Sequence, residues 1–270
     1  MEKKYAFDKE HHIHTLGGKH LKGTTTVIKE VMPPMLSWYG SGQACKALGW
    51  YDRKQGRANY LPDEEGRPTL EKKLEEVKEM DADTYLKLLD KAYSAHNEYK
   101  KEKADWGTNA HAKIEKIVGE AIKNDGKLLE SYEDEFVESF AKLNRDKKFI
   151  YSEKYLYSEK LWTGGITDLV YEKDGQYFIS DLKTGKSIYE SVFIQLGIYD
   201  ALQSENGYFT ADGEKVGDPL EISGYTVINI PQKGEGAIMT FYQVERMRSF
   251  ASNLCELHST LQELKEFVKN

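Results

Sequence analysis

The chain has 270 residues, of which 39% are hydrophobic, 31% charged and 12% aromatic, and its formal net charge is −7. That mixture excludes a disordered or collagen-like chain, and no apolar run approaches the roughly 18 residues of a membrane span. The length predicts a single domain, 1–270, and the negative charge argues against a surface coated in basic side chains while leaving room for a local basic groove.

The opening residues MEKKYAFDKEHH mix both charge signs, so neither a secretory signal nor a transit peptide is expected, and a cytoplasmic setting follows. Residues 5–30 alternate around Gly17-Gly18, a β-hairpin pattern leading into Thr24-Thr25-Thr26, and Pro33-Pro34 ends that unit. His11, His12, His14 and His20 lie here without the spacing of a known zinc module and read as a half-exposed hairpin. Cys45 and Cys255 are too few for a four-thiolate site and are expected to be free thiols. From Arg53 to Pro68 the polar chain, broken by Gly56, Pro62, Gly66 and Pro68, predicts a loop.

Apolar recurrence at three and four residues predicts helices over 69–80, 83–102, 105–123 and 132–147. After Lys148 the period changes to that of strands in FIYSEKYLYS, LWTGGITDLVYE and GQYFISDLKT. A helix over 189–205, strands over 222–230 and 237–244 and a last helix over 245–268 complete an α/β chain with helices packed on one mixed sheet. Within the single domain, 1–104 reads as an amino-terminal hairpin and helical elaboration and 105–270 as the core.

Chemistry concentrates at the Asp174-Gly175 turn, a dipeptide suited to a two-residue type I′ hairpin. That turn fixes a register in which Lys173 faces Gln176 and, further out, Asp168 faces Asp181. Like charges so opposed are destabilising unless something positive lies between them, and a divalent metal resolves the conflict. Strand periodicity returns Lys183 to the same face. The structural alternative is a buried salt bridge, in which one lysine balances only one of the two carboxylates. In the predicted helix over 105–123, His111 and Glu115 share a face beside Ile114, Ile117 and Val118, and Gly107 would let the helix start approach a backbone or phosphate. Alone, that pair reads as a core-edge histidine bonded to its glutamate. Gln195 and Tyr199, one helical turn apart, either orient substrate or Lys183, or are a surface glutamine and a core aromatic.

The ordered set Gly107…His111…Glu115, Gly165-Ile-Thr-Asp168, Asp181-Leu-Lys183 and Gln195…Tyr199 resembles the RecB-like, phage-type exonuclease branch of the PD-(D/E)XK nucleases. It is similar to Cas4-like and mitochondrial genome maintenance exonucleases, without the cysteines of an iron–sulfur cluster. The resemblance spans about 107–199 and implies a restriction-endonuclease-like mixed sheet flanked by helices, with an added helical amino-terminal region. It further implies Mg²⁺ or Mn²⁺ bound by His111, Asp168, Asp181 and the Leu182 carbonyl, with Lys183 holding or activating the attacking water. Glu115 becomes a neighbouring or second-metal carboxylate, and Gln195 and Tyr199 further site residues. Asp181 stands where many relatives have glutamate. The implied partners are single-stranded or duplex DNA ends and recombination or replication proteins, with no membrane, in a bacterial cell or phage-infected host.

Overall fold

The structure, a computed structural model, describes residues 4–32, 37–48, 52–54, 57–59, 70–185, 187–232 and 234–269. They fall into two compact units, one drawn from 1–33 and 109–270 and the other from 34–108. The amino-terminal hairpin forms: β1 (Tyr5–Asp8) pairs antiparallel with β2 (Ile13–Leu16), which turns into β3 (Lys19–His20). The turn glycines Gly17 and Gly18 have φ of 57° and 75°, the left-handed conformation that a type I′ turn needs at both central positions. After β4 (Lys22–Gly23), the threonine triplet forms the first turn of α1 (Thr24–Val31). Pro33-Pro34 lie outside the described residues.

The second unit contains α2 (Ser37–Ala47), the antiparallel pair β5 (Asp52–Lys54) and β6 (Arg57–Asn59), and α3 (Leu70–Lys78). The segment expected to be a loop thus carries a short two-stranded pair; 55–56 and 60–68 lie outside the described residues, as does the side chain of Trp38. The two helices expected over 83–102 and 105–123 are one, α4 (Ala82–Lys123), of 42 residues. Gly107 therefore sits inside a helix rather than at its start. A single interior glycine costs only about 1 kcal/mol relative to alanine, too little on its own to break a helix of this length.

The site-bearing sheet follows. α5 (Glu135–Asn144) is capped by Asp134, whose side chain accepts from the Phe136 and Val137 amides. Next come β7 (Lys148–Ser158), β8 (Thr163–Lys173), β9 (Gln176–Lys183), α6 (Glu190–Asn206), β10 (Tyr208–Phe209), β11 (Lys215–Gly217), β12 (Ile222–Asn229), β13 (Ala237–Phe241) and α7 (Val244–Lys269). The strand order is β11-β10-β7-β8-β9-β12-β13, with β4 pairing parallel to β8 and β12 parallel to β9, so the sheet is mixed. The β9–α6–β12 path is the crossover that parallel neighbours require.

Strand alternation sends successive residues to opposite faces, and the core divides accordingly. Leu169, Phe178 and Leu182 pack with Ile114 and Val118 of α4 and Phe140 of α5. Val170, Ile179 and Val227 pack on the other face with Leu196, Ile198 and Leu202 of α6, together with residues of α1 and α7. Asp200 is fully buried within this second layer, where its carboxylate accepts from Tyr225 Oη (2.7 Å), Arg248 Nε (2.7 Å) and Gln203 Nε2 (2.8 Å). Those bonds tie α6 to β12 and α7.

Candidate active site

The β8–β9 hairpin turns through Asp174 (φ 53°) and Gly175 (φ 75°), and its register runs from Lys173↔Gln176 to Leu169↔Ser180. The expected register therefore holds, but the ladder stops one step short of Asp168 and Asp181. Beyond that point β9 follows β12, pairing Asp181 with Val227 and Lys183 with Asn229, while β8 follows β7 through Thr167↔Lys154. The two strands part. In the gap the Leu182 amide donates to Asp168 Oδ2 at 2.9 Å, so a carboxylate takes the place of a ladder carbonyl.

Asp181 lies on the α6 side and is 1% exposed. Lys183 Nζ stands 2.5 Å from its Oδ2, a close ion pair at a buried oxygen. Gln195 Nε2 lies 3.4 Å from Asp181 Oδ1 and donates to Tyr199 Oη at 2.6 Å. Burial, reinforced by the charge of Asp168, pushes the Asp181 carboxyl well above the usual carboxylate range; Lys183 opposes the shift. Burial and the same two aspartates push the Tyr199 phenol upward as well. A Cβ at Gly165 would lie 2.6 Å from the Tyr199 ring and 2.7 Å from Thr24 Oγ1, so the strand needs glycine there for α6 and α1 to approach.

On the α4 side, His111 Nδ1 stands 3.7 Å from Asp168 Oδ2. His111 and Glu115 line one small cavity with Asp168 and Leu182, as their spacing of one helical turn allows. The remaining member of this group, Glu153 of β7, was not anticipated from the sequence. Ser152 pairs with Leu169 and Lys154 with Thr167, which sets Glu153 opposite Asp168. Ligand atoms of His111, Glu153 and Asp168 all lie within 4.8 Å of one another, a group that Asp181 does not join. Burial first, then the charges of Asp168 and Glu115, push the Glu153 carboxyl up to about 7. The amino-terminal histidines take no part: His14 is buried against Tyr5 Oη at 2.7 Å, and His11 pairs with Asp8.

Carboxylates and a lysine thus gather where the central strands of a helix-flanked mixed sheet part. The chain belongs to the PD-(D/E)XK nuclease superfamily, whose family model matches residues 68–269. No curated protein matches it. Among solved structures, one titled "Crystal structure of SSO0001" aligns with 37% of this chain and 41% of its own at 16% identity and a TM-score of 0.26, too slight a likeness to carry an argument.

Proposed function

We propose that this protein is a Mg²⁺- or Mn²⁺-dependent deoxyribonuclease that hydrolyses phosphodiester bonds at DNA ends. The observation that carries the reading is the parting of β8 and β9 at Asp168 and Asp181, beside Lys183. The residues fit a divalent cation: ligand atoms of His111, Glu153 and Asp168 lie within 4.8 Å of one another, and carboxylate and carbonyl oxygens suit hard ions while one imidazole leans toward Mn²⁺. The resemblance gives it to Asp168, Asp181, His111 and the Leu182 carbonyl; of these, His111 and Asp168 stand together with Glu153, and Asp181 would have to turn from its place beside Gln195 to join them. Such a cation supplies charge that offsets the negative charge developing on the phosphate and lowers the pKa of attacking water.

The chain's own groups do the remaining work. Lys183, a third exposed, can turn its ammonium toward the attacked phosphate once Asp181 is neutralised by another charge. Gln195 ties Asp181 to Tyr199 and so positions the carboxylate against α6. Glu115 adds a carboxylate at the α4 edge, next to Asp168. Action at ends, and with it a place in recombination, repair or phage DNA processing, is the reading supported by the resemblance of the motif order to phage-type exonucleases.

Incubation with end-labelled linear DNA and with closed circular single- and double-stranded DNA tests both parts. Mg²⁺ or Mn²⁺ should release label from linear DNA and leave circles intact. Undiminished cleavage after exhaustive EDTA treatment would overturn the metal requirement, and cutting of circles would replace end-directed action with endonucleolytic action.

A further inference from the structure

β9 and β12 run parallel to their carboxyl ends, where Lys183 pairs with Asn229. Val227 packs on the α6 side of the sheet and Ile228 on the α4 side, so alternation returns Asn229 to the face that carries Asp181 and Lys183. Asn229 is 9% exposed, and its side-chain oxygen is buried without a hydrogen-bond partner. Buried polar side chains are nearly always hydrogen-bonded, so an exception calls for a donor that arrives from elsewhere. The cross-strand neighbours of Asn229 are Ala237, whose side chain is hydrocarbon, and Lys183, whose ammonium carries three donors. The Lys183 side chain is one third exposed and rests against Asp181 at the end of a flexible four-carbon stem.

We propose that Asn229 is a positioning residue for Lys183: once the Asp181 carboxylate is engaged by a cation, the Lys183 ammonium passes to Asn229 Oδ1, which keeps it at the strand ends for the attacked phosphate. The inference rests on the nuclease reading and adds to it a residue outside the ordered motifs. Neighbouring strands lie about 4.8 Å apart, a distance the lysine stem spans without any movement of the backbone. A neutral acceptor fits the task. A carboxylate at this position would hold the ammonium as Asp181 does and offset its charge, whereas an amide oxygen takes one N–H and leaves two for phosphate oxygens. With Lys183 held on Asp181, the amide oxygen has no partner, which is the state the structure shows.

A crystal structure of the full chain carrying Asp181→Ala, without metal, tests the contact directly, because the substitution removes the competing carboxylate. Lys183 Nζ should then lie within about 3.2 Å of Asn229 Oδ1, and a separation above about 4 Å would overturn the proposal. Cleavage of linear DNA in Mn²⁺ tests the consequence. Asn229→Leu, close in size and without an acceptor, should lower kcat about tenfold with KM for DNA unchanged, the scale of losing a residue that orients a functional group. In a chain that also carries Lys183→Ala it should lower kcat no further, since the two residues act as one unit. Equal falls in the two backgrounds would assign Asn229 to the fold rather than to the lysine and overturn the proposal. Near-ultraviolet circular dichroism checks that the variants fold; should Asn229→Leu fail to do so, Asn229→Ala takes its place in the cycle with the same two outcomes. Absence of cleavage under any condition would sink the nuclease reading, while the Asp181→Ala structure still decides whether Asn229 receives the ammonium.

Discussion

Asp181 and Asp200 are both buried aspartates, 1% and 0% exposed, yet their surroundings differ in kind. Asp200 receives hydrogen bonds from a tyrosine, a glutamine and an arginine, and the arginine balances its charge. Asp181 has the Lys183 ammonium near one oxygen, a long contact from Gln195 at the other, and Asp168 adding like charge. Burial of a charge is tolerated where hydrogen bonds and a counter-charge replace water, and costly where they do not. The contrast separates a carboxylate that holds α6, β12 and α7 together from one that, on the proposed reading, a cation would satisfy.

The largest effect expected from breaking this contrast is on stability. Asp200→Ala leaves Tyr225, Gln203 and Arg248 without their acceptor and should cost about 3 kcal/mol, near the low end for a broken buried pair because Arg248 is one third exposed. Urea unfolding measures it, and the cleavage rate per folded molecule should stay close to wild type. A stability within error of wild type would mean that the Asp200 cluster does not differ from the site in the way argued here.

A second effect concerns pH. The Glu153 carboxyl titrates at about 7 in the folded protein against a reference value of 4.5. Between those values the native state holds a proton that the unfolded chain has released. Its contribution to stability is therefore present below 4.5 and lost as pH rises through about 7. Asp181, also raised, acts in the same direction. In EDTA the melting temperature should fall as pH rises from about 5 to about 8, with a shallower fall for Glu153→Gln. Added Mg²⁺ or Mn²⁺ should raise it more at the upper pH, and parallel pH profiles for the two proteins would contradict the assignment to Glu153.

The smallest effect belongs to Gln195, which acts through Asp181. Gln195→Ala should lower kcat by about tenfold, with KM for DNA little changed, since a misplaced carboxylate disturbs the chemical step more than phosphate contact. A rise in KM alone would assign the glutamine to substrate binding.

The features of the site that could be read from the sequence are those set by short-range rules. Asp174-Gly175 fixes the β8–β9 register because both turn residues must adopt positive φ, and four-residue spacing puts His111 with Glu115 and Gln195 with Tyr199. What could not be read depends on distant partners. The ladder ends at Leu169 and Ser180, beyond which β9 stays paired with β12 and β8 with β7, and nothing in the turn residues marks the place where the two strands part. Glu153 escaped for a related reason: the β7–β8 connection carries no turn dipeptide from which its pairing with Asp168 could be projected. Its only trace is a charged residue within the aromatic-rich FIYSEKYLYS. β4, β10 and β11, two or three residues each, are too short to show alternation.

The most direct test of the central claim is a paired measurement on Asp181→Asn: cation-dependent cleavage of linear DNA, and melting without cation. The account predicts a fall in cleavage on the order of 10²–10³-fold, the size seen when a group aimed at transition-state charge is removed. It also predicts a melting temperature equal to or above wild type, because asparagine removes a buried charge that the fold does not satisfy. Retained cleavage together with a fall in melting temperature like that of Asp200→Ala would contradict it, and would make Asp181 and Lys183 a structural ion pair.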